Sequence, residues 1–471
     1  MSEVFNILRR CGIEARLVGG CVRDYLIGRP CKDIDFAVQA PPEQATEALT
    51  KAGARVYPTG LKHGTITAVI DVKLQENAPS AKSRWPDVKK TSFELTSLRR
   101  DVVTDGRHAS VAFTNSWHED AERRDFTFNA MYVDQDGKLY DFFGGLDDLA
   151  NGVVRFIGDP EKRIREDYLR ILRYYRFFLR YGKSHNSDAL SATKRLQEGL
   201  TQLSIERVQA ELFEIITASG GGGGFAASGG VELSEVNIGG VLKILQTSGI
   251  IETLFGVSID LPQFLLLLRA ETIYADLQRA HWVQDPWDTV DDEPSNFLWL
   301  DIRLFCLFQQ SLDFFKTKFC LPRHKIASLK MLFKISRLDF SEQSIFMIKY
   351  RFGSYFMDMF FILHIRNCLA AKVEHQDVEV VADCLNLSLD EINEVIEKYR
   401  AGLSFDTQFP IQGQDLVDIG IPAGKELGKI LGACEQKWIT RLGEMSEKEM
   451  LAVASDLWGK KLAETNKPSH S

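Results

Sequence analysis

Asp33 and Asp35 stand two apart in CKDIDFAV (Cys31–Val38), a run whose members around them, Ile34, Phe36, Ala37 and Val38, are apolar. Alternate residues of a strand share a face, so a strand here sets two carboxylates side by side, where they repel. A divalent cation between them removes the repulsion. Mg²⁺ suits such a pair because it prefers hard oxygen ligands and shares them with substrate phosphates. The competing reading is a pair of salt-bridged aspartates on an exposed edge strand. Glu94, the only acid of FELTSLR (Phe93–Arg99), could complete or orient the cluster, or pair with an arginine at its rim.

Upstream, LVGGCVRD (Leu17–Asp24) reads as strand, Gly19-Gly20 turn and helix. That arrangement lets backbone N–H groups approach a phosphate closely. In AERRDFTFNAM (Ala121–Met131) the forks of Arg123 and Arg124 match phosphate oxygens, and Asp125 or Asn129 can bond a ribose hydroxyl. A solvated charged loop is the alternative for that run. TDGRHA (Thr104–Ala109) is a polar loop between strands, a candidate mobile element beside a substrate.

The third constellation is EKRIREDYLRILRYYRFFLR, Glu161–Arg180. Its spacing predicts one continuous helix, with Arg163, Glu166, Arg170, Arg173 and Arg180 inside an arc of about 100°. Leu169, Ile171, Leu172, Tyr175 and Phe178 occupy much of the remaining surface. An arginine stripe on so apolar a helix is expected to face a polyanion rather than water. Asp167, at the margin of the stripe, is the i, i+3 neighbour of Arg170. A carboxylate only accepts hydrogen bonds and a guanidinium only donates them. Together they complement the amino donor and ring-nitrogen acceptor of cytosine and adenine. Uracil and guanine present the reverse polarity and would leave buried groups unpaired, at about 1–3 kcal/mol each.

The elements that position these residues divide along the chain. Residues 1 to about 145 read as α+β, with strands Ala15–Val18, Asp33–Val38, Thr65–Val72, Phe93–Arg99, Val111–Thr114 and Met131–Val133. Helices are expected at Val22–Ile27 and Pro42–Ala52, and a long polar loop at Lys73–Thr91. Beyond about residue 160 helical periodicity takes over. Gly220–Gly230 and Asp285–Pro294 read as loops or boundaries. The expected organisation is an α+β head with a mixed β-sheet (1–145), then an all-α neck (146–218), body (219–400) and tail (401–471).

At 471 residues the chain can hold several domains. Tyr355–Ile365 is the strongest apolar run, and Asp358 interrupts it, so it reads as a core helix and no membrane partner is expected. No signal or transit peptide is expected ahead of Leu17. Eight cysteines without a CxxC pair point to free thiols in a reducing compartment. The net charge of −8 is concentrated in places such as Asp285–Glu293, so local basic stripes can still bind phosphate.

Taken in series, these stretches resemble the class II tRNA nucleotidyltransferases, the CCA-adding enzymes of the polymerase-β-like superfamily. The likeness rests on GGCVRD…DID (Gly19–Asp35), ERRDFTFNA (Glu122–Ala130), FFGGLDDL (Phe142–Leu149), EDYLRILRYYRF (Glu166–Phe177) and SIERVQAEL (Ser204–Leu212). KHGTIT (Lys62–Thr67), TDGRHA, FPIQGQDL (Phe409–Leu416) and IPAGKELGKIL (Ile421–Leu431) also fit. The resemblance implies a polymerase-β-like nucleotidyltransferase head and addition of CCA to tRNA from CTP and ATP with two Mg²⁺ ions. Asp33 and Asp35 would bind the metals, with Glu94 beside them. Gly19, Gly20, Arg23, Arg123, Arg124, Asp125 and Asn129 would hold the nucleotide's sugar and phosphates. Asp167 and Arg170 would select the base, buttressed by Glu166, and Arg173 and Arg176 would hold the triphosphate. Glu206, Arg207 and Glu211 would stabilise the neck. Asp105, Gly106, Arg107 and His108 would form a flexible loop linked to the switch from C to A, and Lys425 and Lys429 would contact tRNA. A poly(A) polymerase, a partial CC- or A-adding enzyme and an inactive RNA-binding homologue are the rivals. Monomer and homodimer are both open. The expected compartment is the cytoplasm, with mitochondrial and nuclear pools also open.

Overall fold

The structure is a computed structural model and describes residues 2–29, 31, 33–61, 64–70, 91–104, 109–218, 238–279, 297–352, 354–372, 387–405 and 407–465. Among these, one compact unit holds the residues up to 218 together with 238–258, and a second holds those from 259 onward.

The first unit is built on a seven-stranded mixed sheet of order β3-β4-β5-β2-β1-β8-β9. Its strands are β1 (Ala15–Val18), β2 (Asp35–Val38), β3 (Arg55–Gly60), β4 (Thr65–Ile70), β5 (Thr91–Ser97), β8 (Met131–Val133) and β9 (Leu139–Asp141). A separate two-stranded sheet pairs β6 (Arg99–Thr104) with β7 (Ala109–Phe113). β2 and β5 run parallel with Asp35 opposite Glu94; β5 pairs antiparallel with β4 on its other side.

Burial follows period two in β5, where Phe93, Leu95 and Ser97 are buried and Glu94 is exposed. Phe36 of β2 packs edge-on against Phe93 and against Phe5 of α1 (Ser2–Arg10), at 5.8 and 5.1 Å between ring centres. α1 therefore covers that face, and strand alternation sends Asp35 to the other.

β1 and β8 have the bounds expected from sequence. Other elements differ, for identifiable reasons. The helix after the glycine turn, α2 (Gly20–Leu26), begins at Gly20, because Gly19 adopts φ +74° and ends the strand abruptly. β2 begins at Asp35, so Asp33 precedes the strand, although Ile34 O still accepts from Glu94 N at 3.1 Å. β3 and β9 are strands that the pattern did not suggest. Both are edges of the sheet; one carries Pro58 and the other has three residues. The Lys73–Thr91 loop, apart from Thr91, lies outside the described residues, as do Gly220–Gly230 and Asp285–Pro294.

The single helix expected over Glu161–Arg180 is two. α6 (Pro160–Glu166) ends before Asp167, which is extended at φ −156° and ψ 107°, and α7 runs Arg170–Tyr181. Two local causes are visible. Asp167 Oδ1 accepts from Leu169 N at 3.2 Å, diverting the chain as an aspartate at a helix start does. The Tyr168 ring also rests on Gly199, where an added Cβ would stand 2.1 Å from ring atoms. α6 itself starts conventionally, with Asp159 accepting from Lys162 N at 2.8 Å and Pro160 in the first turn.

The second unit is helical in its described residues. Tyr355–Ile365 falls inside the helix Ser354–Ala371, and among the described residues no helix is long and apolar enough to cross a membrane. Seven cysteines are free thiols, and Cys384 lies outside the described residues. The unit buries an ion pair: Arg303, fully enclosed, donates to Glu271 at 3.0 and 2.5 Å. Removing the carboxylate takes two hydrogen bonds and the opposing charge from the enclosed Arg303, so Glu271→Ala is expected to cost about 3–5 kcal/mol, read as a lowered urea midpoint.

Candidate active site

Asp35 opens β2 on the face away from Phe36, and the parallel register sets Glu94 beside it. Burial, then Glu94, then Asp33 push the Asp35 carboxyl up to about 6, against an opposing pull from Arg124. Asp35 thus feels the charges of two further hard-oxygen acids, Glu94 opposite it in the sheet and Asp33 two residues before it, and resists ionising. That donor set fits Mg²⁺. Among the described residues no three Asp, Glu, His or Cys side chains are close enough to cage an ion unaided. An ion at Asp33 and Asp35 would therefore take its remaining ligands from water and substrate, as Mg²⁺ commonly does.

A carboxyl raised in the folded state opposes folding once it is charged. The penalty is absent below about pH 4, grows as the unfolded chain ionises, and is complete above about pH 6. Discounted for partial exposure, it is on the order of 2 kcal/mol. Asp35→Asn is therefore expected to raise the melting temperature at pH 7.5 in chelator, with the gain disappearing by pH 4.

Over the glycine turn lies Arg124, whose Nη1 is 3.4 Å from where a Cβ of Gly19 would stand. Gly20 follows as the first residue of α2. Arg124 donates to Asp120 at 3.2 Å and to Tyr132 OH at 3.3 Å. Asp120, buried in α4 (Trp117–Glu122), also accepts from Arg123 at 3.0 and 2.8 Å and from Tyr132 OH at 2.8 Å. Burial works against its charge, but Arg124, Arg123 and the Tyr132 hydroxyl outweigh it and hold Asp120 down to about 2.

A second network joins residues that are far apart in sequence. Arg23 Nη1 donates to Asn129 Oδ1 at 2.6 Å, and Asn129 Nδ2 to Asp125 Oδ1 at 3.0 Å. Asp125 Oδ2 accepts from Arg173 at 2.9 and 2.6 Å. Arg173 reaches Glu211 of α9 (Ile205–Thr217) at 3.2 Å, and Arg176 lies 3.0 Å from the same carboxylate. Burial is the main reason that Arg176 falls below the ordinary arginine range. Arg180 pairs with Glu214 at 2.6 Å. Arg173, Arg176 and Arg180 therefore do not present bare charge to a polyanion: Asp125 and carboxylates on α9 pair with them.

At the α6–α7 break, Glu166 Oε2 accepts from Arg170 at 2.7 Å and from Arg163. Arg163 also donates to the carbonyls of Arg123 and Arg124 at 2.6 and 2.5 Å. Arg170 donates to Arg163 O at 2.7 Å, and Asp167 accepts from Arg207 at 2.8 Å. Asp167 and Arg170 are thus close in the chain but partnered separately. Glu206 lies in the first turn of α9 beside Arg207. Asp105–His108 lie outside the described residues. Lys425 and Lys429 are exposed on the tail helix Lys425–Thr440, where Lys429 bonds Glu426 at 2.8 Å.

Two residues were missed as parts of the site. Asp120 could have been found from its i+3 and i+4 spacing to Arg123 and Arg124. Arg163 was read only as part of a stripe, and no local pattern announces that it would bond two carbonyls some forty residues upstream.

The mixed sheet, glycine turn and paired acids define a nucleotidyltransferase head, and residues 15–155 match the poly(A) polymerase head domain. The CCA tRNA nucleotidyltransferase 1, mitochondrial, of Danio rerio is 32% identical to the chain, across 97% of it and 89% of that relative. The chain belongs to the CCA tRNA nucleotidyltransferase family. The Homo sapiens protein of the same name is 45% identical over 44% of each chain. The solved Bacillus stearothermophilus CCA-adding enzyme in complex with CTP has the same fold, at TM-score 0.65 and 22% identity, covering 99% of this chain and 98% of that one.

Proposed function

We propose that the chain adds C, C and A in turn to the 3′ end of tRNA, using CTP and ATP with Mg²⁺ and releasing pyrophosphate. The observation that carries the reading is the pairing of Asp35 with Glu94 across β2 and β5, two residues from Asp33, together with Arg124 over the Gly19-Gly20 turn. Asp33 and Asp35 would hold two Mg²⁺ ions. When bound, Mg²⁺ supplies the positive charge that lowers the pKa of the attacking 3′-hydroxyl and offsets charge on the leaving pyrophosphate. Arg124 brings its guanidinium over the turn at which a triphosphate would lie. Asp125 and Asn129, held by Arg173 and Arg23, would order the sugar. Asp167 and Arg170 present one acceptor and one donor to the base edge. Arg173 and Arg176, already neutralised by Asp125 and Glu211, fit indirect support better than direct triphosphate contact.

The name of the zebrafish relative and a solved Thermotoga maritima CCA-adding enzyme complexed with tRNA_CCA support tRNA as the partner. The same name supports a mitochondrial pool. Lys425 and Lys429 remain the candidate contacts on the tail. The head-domain match favours one second reading, a poly(A) polymerase. Transcripts ending before C, CC and CCA, each given single nucleoside triphosphates with Mg²⁺, decide between them. Stepwise C, C, A addition that stops is the expected result. Unlimited A addition makes the enzyme a poly(A) polymerase, and no extension by folded protein overturns both readings.

A further inference from the structure

Asp167 and Arg170 carry opposite charges three residues apart, and the short chain between them does not stop them from pairing with each other. Such a pair would satisfy its own lone pairs and N–H groups, and a base would have to break it before being read. The structure keeps them apart by giving each another partner. Arg207 Nη2, from α9, donates to Asp167 Oδ2 at 2.8 Å. Leu169 N donates to Asp167 Oδ1 at 3.2 Å. Arg170 is drawn the other way, its Nη1 donating to Glu166 Oε2 and to Arg163 O, both at 2.7 Å. A carboxylate has about four lone-pair sites, so Asp167 keeps about one on each oxygen for a ligand. Arg170 keeps its Nε and Nη2 hydrogens. Asp167 and Arg207 are also only partly exposed, at 24% and 27% for their side chains, so their attraction is less screened than that of a surface pair.

We infer that Arg207 is a specificity-determining positioning residue, which holds Asp167 off Arg170 so that acceptor and donor stay separately available to the incoming base. The inference rests on the base-selecting reading of Asp167 and Arg170 given above. It takes Arg207 beyond support of the neck, because neck support alone would not govern which base is chosen.

The test uses the full-length chain and a tRNA transcript lacking CCA, with kcat/KM measured for CTP and for UTP. Arg207→Gln is expected to lower the CTP preference by more than threefold and by no more than Asp167→Ala does, with the melting temperature close to wild type. Arg207→Lys, which keeps the charge, is expected to recover most of that preference. Should Arg207→Gln not fold, Arg207→Met, which keeps the apolar stem, is read in the same way. A preference within threefold of wild type in either folded variant overturns the inference, provided that Asp167→Ala loses preference in the same assay. If Asp167→Ala also keeps its preference, the base-selecting reading fails as well, and Arg207 has nothing to position.

Discussion

Asp35→Asn is expected to reduce incorporation of CMP and AMP by at least about 10³-fold, or ~4 kcal/mol of transition-state stabilisation. Asp33→Asn is expected to do the same. The substitution keeps the shape of the side chain and removes the negative charge, so packing beside Ile34 and Phe36 is preserved. The two consequences of Asp35→Asn run in opposite directions: catalysis collapses while the metal-free protein gains stability above pH 6. A general packing defect would lower both. Single-turnover extension of trimmed tRNA, run beside thermal unfolding in chelator, separates the cases. Activity within tenfold of wild type would remove Asp35 from the chemistry.

Asp167→Ala is expected to act on choice more than on speed. Losing the acceptor removes one bond to the amino group of cytosine or adenine and the repulsion toward the uracil or guanine carbonyl. At about 1–3 kcal/mol for each mismatched polar group, the ratio of CTP to UTP use is expected to fall by about 5- to 150-fold. Competition between labelled CTP and UTP on one transcript measures this directly. An unchanged ratio would assign base selection to other residues.

The parts of the site carried by short segments were legible in the sequence. The glycine turn joins β1 directly to α2, Asp35 opens β2 with Asp33 two residues ahead of it, and Glu94 lies on the exposed face of β5, while β1 was readable to its ends because all four of its residues are buried. What escaped depends on long-range partners. Helical periodicity across Glu161–Arg180 is real on both sides of Asp167, but beside the local Asp167–Leu169 bond the break has Tyr168 resting on Gly199, thirty-one positions away. Arg173 has an unremarkable local pattern, and only the fold shows that Asp125 and Glu211 occupy it. Edge strands β3 and β9 carry weak signals, because pairing on one side only demands less of their side chains.

The β4–β5 pairing also bears on how the chain tolerates change. Ile70 and Thr91 are partners across that ladder, so the segment between them leaves and re-enters the sheet at adjacent positions. The alignment of Glu94 with Asp35 is set by the β2–β5 ladder and not by the length of that segment. Closure entropy grows slowly with the length of a flexible connection between paired strands, by about 0.6 kcal/mol per doubling. An epitope tag or a small inserted domain spliced there is accordingly expected to leave the acids in register, which makes it a place to label the protein.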